Sequence, residues 1–231
     1  MPTETTRSDD RLALLADELD ADAAARGAVY AVLATTTEQP SRETYDALAD
    51  GTFEAELRRL VDHTSLTVPV ATLATADDYE TLCARFNDLF HLGNSTYRDR
   101  SDGTLDAEGP PVSPYESRYR EDVSWDDVNL DLARAYDYFG LAVDESTRRH
   151  HDHARLQLEF AGYLCRREAA VGADAASARL DFLHRHLTVL ASGMADRVVD
   201  EPGTDVYGPL LSFLASFAAA DADDLQRRIE S

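Results

Sequence analysis

Residues 150–153, His-His-Asp-His, place three imidazoles and a carboxylate in one run. Neutral imidazole and carboxylate are the ligand types of zinc and of non-haem iron, so metal chemistry is the first reading to test. A second pair, His184 and His186, cannot help within a helix. Side chains two residues apart there diverge by about 200° and cannot share an ion. The chain has no Glu-x-x-His spacing, which removes the usual helical di-iron pattern. It also lacks G-x-S-x-G, a P-loop and G-x-G-x-x-G, so nucleophilic, phosphoryl and dinucleotide chemistry have no local signature. Cys83 and Cys165 show no CxxC and no paired His spacing, and read as small buried apolar residues in a reducing compartment.

One enzyme reading survives as an alternative. His151-Asp152 is the doublet of HD-type metal-dependent phosphohydrolases, which are all-α; such a site needs further His and Asp residues on either side at suitable spacings, and no convincing set is present. The sequence therefore names no catalytic residue, no metal ligand and no cofactor.

The elements that hold this run are helical. Downstream of it, Leu156, Phe160, Tyr163 and Leu164 form one apolar stripe and Ala154, Leu158, Ala161 and Cys165 another, each at spacings of three or four. A helix covered on two sides belongs near the middle of a bundle, with the stripe Arg155, Glu159, Gly162 and Arg166 left for water. Upstream, Ser8 caps a long first helix reaching about residue 35, followed by helices over 41–50, 52–63 and 77–92. Residues 64–74 are β-branched but broken by Pro69, and read as a connector. The stretch 93–112, rich in Gly, Asn, Ser, Asp and Pro, reads as a long mobile loop. Ser113-Pro114-Tyr115-Glu116 then restarts a helix through a capping box. Another helix begins at Ser124 and ends at Gly140, and a hinge at about 141–152 leads into the central helix. Helices over 175–199 and 204–220 and a short acidic tail helix to Ile229 complete the chain. No strand pair is convincing. The expectation is an all-α, single-domain bundle spanning 1–231, of about nine to ten helices.

Of 231 residues, 44 are acidic and 22 basic, a net charge of −22, and every base is Arg. Such a surface repels itself unless salt screens it, which points to a halophile's cytoplasm. Nucleic acid is disfavoured because phosphate contacts need basic patches. No apolar run approaches the roughly 20 residues of a membrane span, and no signal peptide opens the chain, so a cytoplasmic protein without membrane insertion is expected.

Three landmarks carry a family resemblance. Ser113-Pro-Tyr-Glu-Ser-Arg-Tyr119, Asp152-His153 followed by Leu156-Gln-Leu-Glu-Phe160 and Leu164, and Phe182-Leu-His-Arg-His-Leu187 are similar, in order, to the signatures of the TorD/DmsD family. Arg26-x-x-x-Tyr30-x-x-Leu33, Leu89-Phe90, Tyr207-x-x-Leu210 and Phe217 extend the match. The resemblance implies an all-α cytosolic chaperone, monomer or homodimer and haloarchaeal given the composition, that assembles a molybdopterin oxidoreductase of the dimethyl sulfoxide or trimethylamine N-oxide reductase type. It implies binding of the catalytic subunit's twin-arginine signal peptide until its cofactor is in place. A cationic start joined to an apolar segment asks for acidic groups beside an apolar groove. Signal-peptide binding is accordingly expected at Asp152, His153, Tyr115, Glu116, Tyr119, Trp125 and Phe90, with Asp126 and Asp127 nearby.

Overall fold

Short polar side chains write four of the helix starts. In a computed structural model describing residues 20–93, 95–99, 104–107, 109–143, 150–171 and 173–231, Asp20 caps α1 (Ala21–Thr35) by accepting the Ala23 amide at 3.0 Å. Ser41 caps α2 (Arg42–Asp50) through Thr44 N at 3.0 Å. Asp78 caps α4 (Tyr79–Phe90) through Thr81 N at 2.8 Å, and Ser124 caps α5 (Trp125–Tyr138) through Asp127 N at 3.2 Å. Each such cap contributes about 1 kcal/mol. Gly51, at φ 80°, ends α2 and opens α3 (Thr52–Asp62); Gly140, at φ 69°, turns the chain after α5.

The second half holds α6 (Ala154–Val171), α7 (Ala173–Phe182), a π turn (Leu183–Leu187), α8 (Thr188–Val199) and α9 (Tyr207–Glu230). Because α7, the π turn and α8 run on without a break, the described residues hold eight helical rods, slightly fewer than expected, and the fold is all-α. The acidic tail is no separate helix: Asp221 is fully buried and α9 continues through it to Glu230.

α6 occupies the centre, with Ala154, Leu158, Phe160, Ala161, Leu164 and Cys165 all buried. It packs most extensively on α1. A Cβ on Gly162 would lie 3.1 Å from Gly27 O, and one on Gly27 3.0 Å from Gly162 O. Gly162 therefore faces α1 instead of water, and two glycines let the backbones approach. One apolar cluster runs from Val29 to Leu225, including Tyr30 edge-on to Phe217 at 5.2 Å. Each large side chain in it contributes roughly 1.5–3 kcal/mol.

Inside this core sits an ionic network. Asp221 accepts Arg26 Nη1 at 2.7 Å, Arg179 Nη1 at 2.6 Å and the Tyr30 hydroxyl at 2.8 Å, while Glu168 accepts Arg179 Nε at 2.7 Å. Both guanidinium groups and Asp221 are wholly buried. The network ties α1, α6, α7 and α9 together, and it explains why Arg26 and Tyr30 recur one turn apart.

Four sequence expectations need correction or restriction. The first helix starts at Ala21 after an extended Asp20, and residues 1–19, with Ser8, lie outside the described residues. Within the segment read as a loop, β1 (Ser95–Asp99) pairs antiparallel with β2 (Thr104–Ala107), Tyr97 opposite Leu105. Ser113 to Glu116 form no capping box; a short 3-10 turn, Glu116–Tyr119, follows Tyr115 without a side-chain cap. The central helix starts at Ala154, so the histidine run precedes it, and residues 144–149 of the expected hinge lie outside the described residues. No helix among the described residues is long and apolar enough to cross a membrane.

Candidate functional site

The run at 150–153 and the segment 113–119 are stitched to each other by backbone. Ala154 N donates to Pro114 O at 2.7 Å, Glu116 N donates to Asp152 O at 3.1 Å, and Tyr115 and His153 form an antiparallel bridge. Side chains reinforce the seam. Ser117 N donates to Asp152 Oδ2 at 3.1 Å, and Asp152 N reaches Asn129 Oδ1 on α5 at 3.4 Å. The second Asp152 oxygen, Oδ1, is buried and receives no hydrogen bond from the described residues, and neither does Gln157 Oε1.

Glu116 is the centre of a second knot. Its carboxylate accepts Gln157 Nε2 at 2.7 Å and Arg120 Nε at 2.6 Å, and lies 3.0 Å from His186 Nδ1. The other nitrogen of His186 lies 3.1 Å from Asp131 Oδ2 on α5, and Asp131 also pairs with Arg185. A π turn widens the helix at 183–187, and π turns gather at functional sites. Here it accompanies His186 to a position between two carboxylates. Burial first, then the charges of Glu116 and Asp152, push the Tyr136 hydroxyl well above its usual pKa; it donates to His151 O at 2.9 Å.

Beside the seam lies an apolar cavity of about 20 Å3, room for about one water molecule, whose walls include Leu33, Phe86, Phe90, Pro114, His153, Met194 and Tyr207. Phe90 stands edge-on to Tyr207 at 5.5 Å.

The structure thus brings Asp152, His153, Tyr115 and Glu116 into one seam and sets His153 and Phe90 on one cavity. Asp152 and Glu116 are fully buried in this conformation. Trp125 stands apart, 47% exposed and edge-on to His150 at 4.9 Å. Tyr119 hydrogen-bonds Ser113 O at 2.7 Å and lies over α8, where a Cβ on Gly193 would fall 2.4 Å from its ring. Asp126 and Asp127 are exposed in the first turn of α5. Sequence reasoning did not single out Gln157, Asn129, Asp131, Arg120 or His186 as site residues. Gln157 and His186 lay within quoted landmarks, and their shared convergence on Glu116 was the missing signal. No group of three His, Cys, Asp or Glu side chains among the described residues is disposed to hold a metal ion.

The three landmarks that meet here fall within or overlap a family match: the pattern of the family described as nitrate reductase delta subunit covers residues 46–194, well over half the chain. The chain belongs to that family. It is the TorD-like family to which the landmarks pointed. Within it, the protein is 31% identical over 142 residues to the chlorate reductase assembly chaperone protein of Ideonella dechloratans, covering 58% of this chain and 67% of that one. It is 34% identical over 110 residues to the selenate reductase assembly chaperone protein of Thauera selenatis, covering 45% of this chain and 57% of that one, so this match spans less than two thirds of the relative's length. A solved structure from Archaeoglobus fulgidus, described as a redox enzyme maturation protein, is similar at 20% identity and a TM-score of 0.42, over 87% of this chain and 93% of the other.

Proposed function

We propose that this member of the nitrate reductase delta subunit family is a cytoplasmic assembly chaperone, itself without catalysis, for the catalytic subunit of a molybdopterin oxidoreductase. The client belongs to the dimethyl sulfoxide or trimethylamine N-oxide reductase type; the relatives named for chlorate and selenate reductase support an oxidoreductase client. The chaperone binds the client's twin-arginine signal peptide and supports cofactor insertion before export. The acid excess is read as adaptation to a salt-rich, haloarchaeal cytoplasm.

One observation carries this reading. The seam of Asp152-His153 with Tyr115-Glu116 borders an apolar cavity through His153, and within the seam Asp152 Oδ1 is an acceptor with no donor among the described residues. A guanidinium is a donor suited to a carboxylate oxygen, and an apolar segment suits Phe90 and Tyr207 beyond it. The cavity as it stands admits about one water, so binding requires the seam and the rings beside it to part. Burying about 500 Å2 of leader at ~25 cal/mol per Å2 yields on the order of 12 kcal/mol gross. Ordering a flexible peptide removes several of these, which leaves micromolar affinity, about 8 kcal/mol.

Capture from the source organism tests the partner. Tagged protein should retain a molybdoenzyme catalytic subunit made with its leader and lose it when the leader is deleted; retention of no such subunit contradicts the proposal.

A further inference from the structure

A second apolar surface, sharing no lining residue with the cavity at His153, lies along α6. Leu156, Phe160 and Tyr163 form one wall, and Tyr136, Leu141 and Val143 the other, of an open cleft of about 510 Å3. Its rim carries arginines. Arg155 and Arg166 border it together with Glu159, and Arg167 stacks over Phe139 at 5.4 Å. Arg155 is already held by Glu38 and Glu159. Arg166 is exposed and has no carboxylate partner among the described residues. In a chain of net charge −22, Arg166 and Arg167 leave a small positive excess among the described residues of this rim, over an aromatic floor.

The dimensions favour a polypeptide occupant. From Arg155 to Arg166 the α6 wall runs about 16 Å, some three helical turns, and the cleft is open along its length. A trough of that form takes a helical or extended segment with apolar residues at successive turns. The charges select its sign: arginines on the rim repel a cationic leader and attract carboxylates. We propose that this cleft docks an apolar segment of a partner protein whose flanking residues are acidic, at a site separate from the one that takes the leader.

Two fluorescein-labelled amphipathic peptides of about three helical turns test this on the full chain in about 1 M salt, where only contacts within a few ångströms survive screening. Both carry leucine and phenylalanine on one face; one has glutamate and the other arginine on the opposite face. The glutamate peptide should bind by fluorescence anisotropy and the arginine peptide at least tenfold more weakly. Arg166→Glu with Arg167→Glu, both exposed positions, should reverse that preference while the melting temperature holds. Tyr163→Ala should weaken the glutamate peptide without reversing it. Equal binding of the two peptides, no binding, or indifference to the charge reversal overturns the proposal. Displacement of the glutamate peptide by an unlabelled twin-arginine leader would also overturn it, since the two sites would be one. Failure here leaves leader binding untouched, because that is read with a different peptide. A dimer that Arg166→Glu dissociates would assign the cleft to a second copy of the chain and overturn the proposal.

Discussion

His186 Nδ1 and the Glu116 carboxylate, 70 residues apart in sequence, meet at 3.0 Å inside the protein. The contact joins the π turn to the 3-10 turn, and Gln157 of α6 donates to the same carboxylate. Removing one partner strands the others, which is where buried polar networks are most sensitive. Glu116→Ala should cost about 1–3 kcal/mol. Combined with His186→Ala, the double variant should lose less than the sum, by about 0.5–3 kcal/mol. Urea unfolding of the four proteins in the cycle measures this, and strict additivity would show that the contact carries no coupling.

Asp221 faces two buried guanidinium groups, from Arg26 and Arg179. Asp221→Ala leaves both charges without their shared carboxylate, and the expected loss is about 3–5 kcal/mol, seen as a lower midpoint in denaturant. A loss below about 1 kcal/mol would place the network on the surface in solution.

Burial holds the hydroxyl pKa values of Tyr30, Tyr119, Tyr136 and Tyr207 above the usual tyrosine value. A folded-state pKa above the unfolded value of about 10 means that this contribution to stability is intact below about pH 10 and is lost as pH climbs towards the folded-state values. Tyrosinate absorbance from these four should therefore appear together with loss of helical circular dichroism. Titration of all ten tyrosines before any unfolding would contradict their burial.

A net charge of −22 predicts a melting temperature that climbs from about 0.1 to 2 M KCl, beyond the range where screening of an ordinary surface saturates. A flat profile would remove the halophile reading.

How much of this was legible depended on the reach of each contact. The caps at Ser41, Asp78 and Ser124 act within three residues, and the sequence reading placed all three helices correctly. Glu116 has the spacing of a local capping box, but a buried histidine and glutamine from distant segments compete for it and win. Gly162 lies on a polar stripe by periodicity, and only the close approach of Gly27 shows why a side chain is absent there. The strand pair 95–99 and 104–107 escaped because each strand is only four or five residues long and carries one or two apolar side chains, too few to set a period. Asp221 looked like the start of a solvated tail until Arg26, 195 residues away, gave it a partner. The Asp152-His153 pair stood out as a candidate by its residue types and by its place in the family landmark; its seam with 114–117 depends on tertiary pairing that no local pattern encodes.

Calorimetric titration of the client's twin-arginine leader into this protein and into Asp152→Asn/His153→Ala tests the account most directly. Asparagine can still accept the Ser117 amide, so the fold should hold, while the charge offered to a guanidinium is gone. The account predicts micromolar binding by the unaltered chain, weakened about tenfold or more in the double variant; equal affinities would exclude Asp152 and His153 from the site, and no binding by the unaltered chain to any molybdoenzyme leader from its own organism would contradict the chaperone account itself.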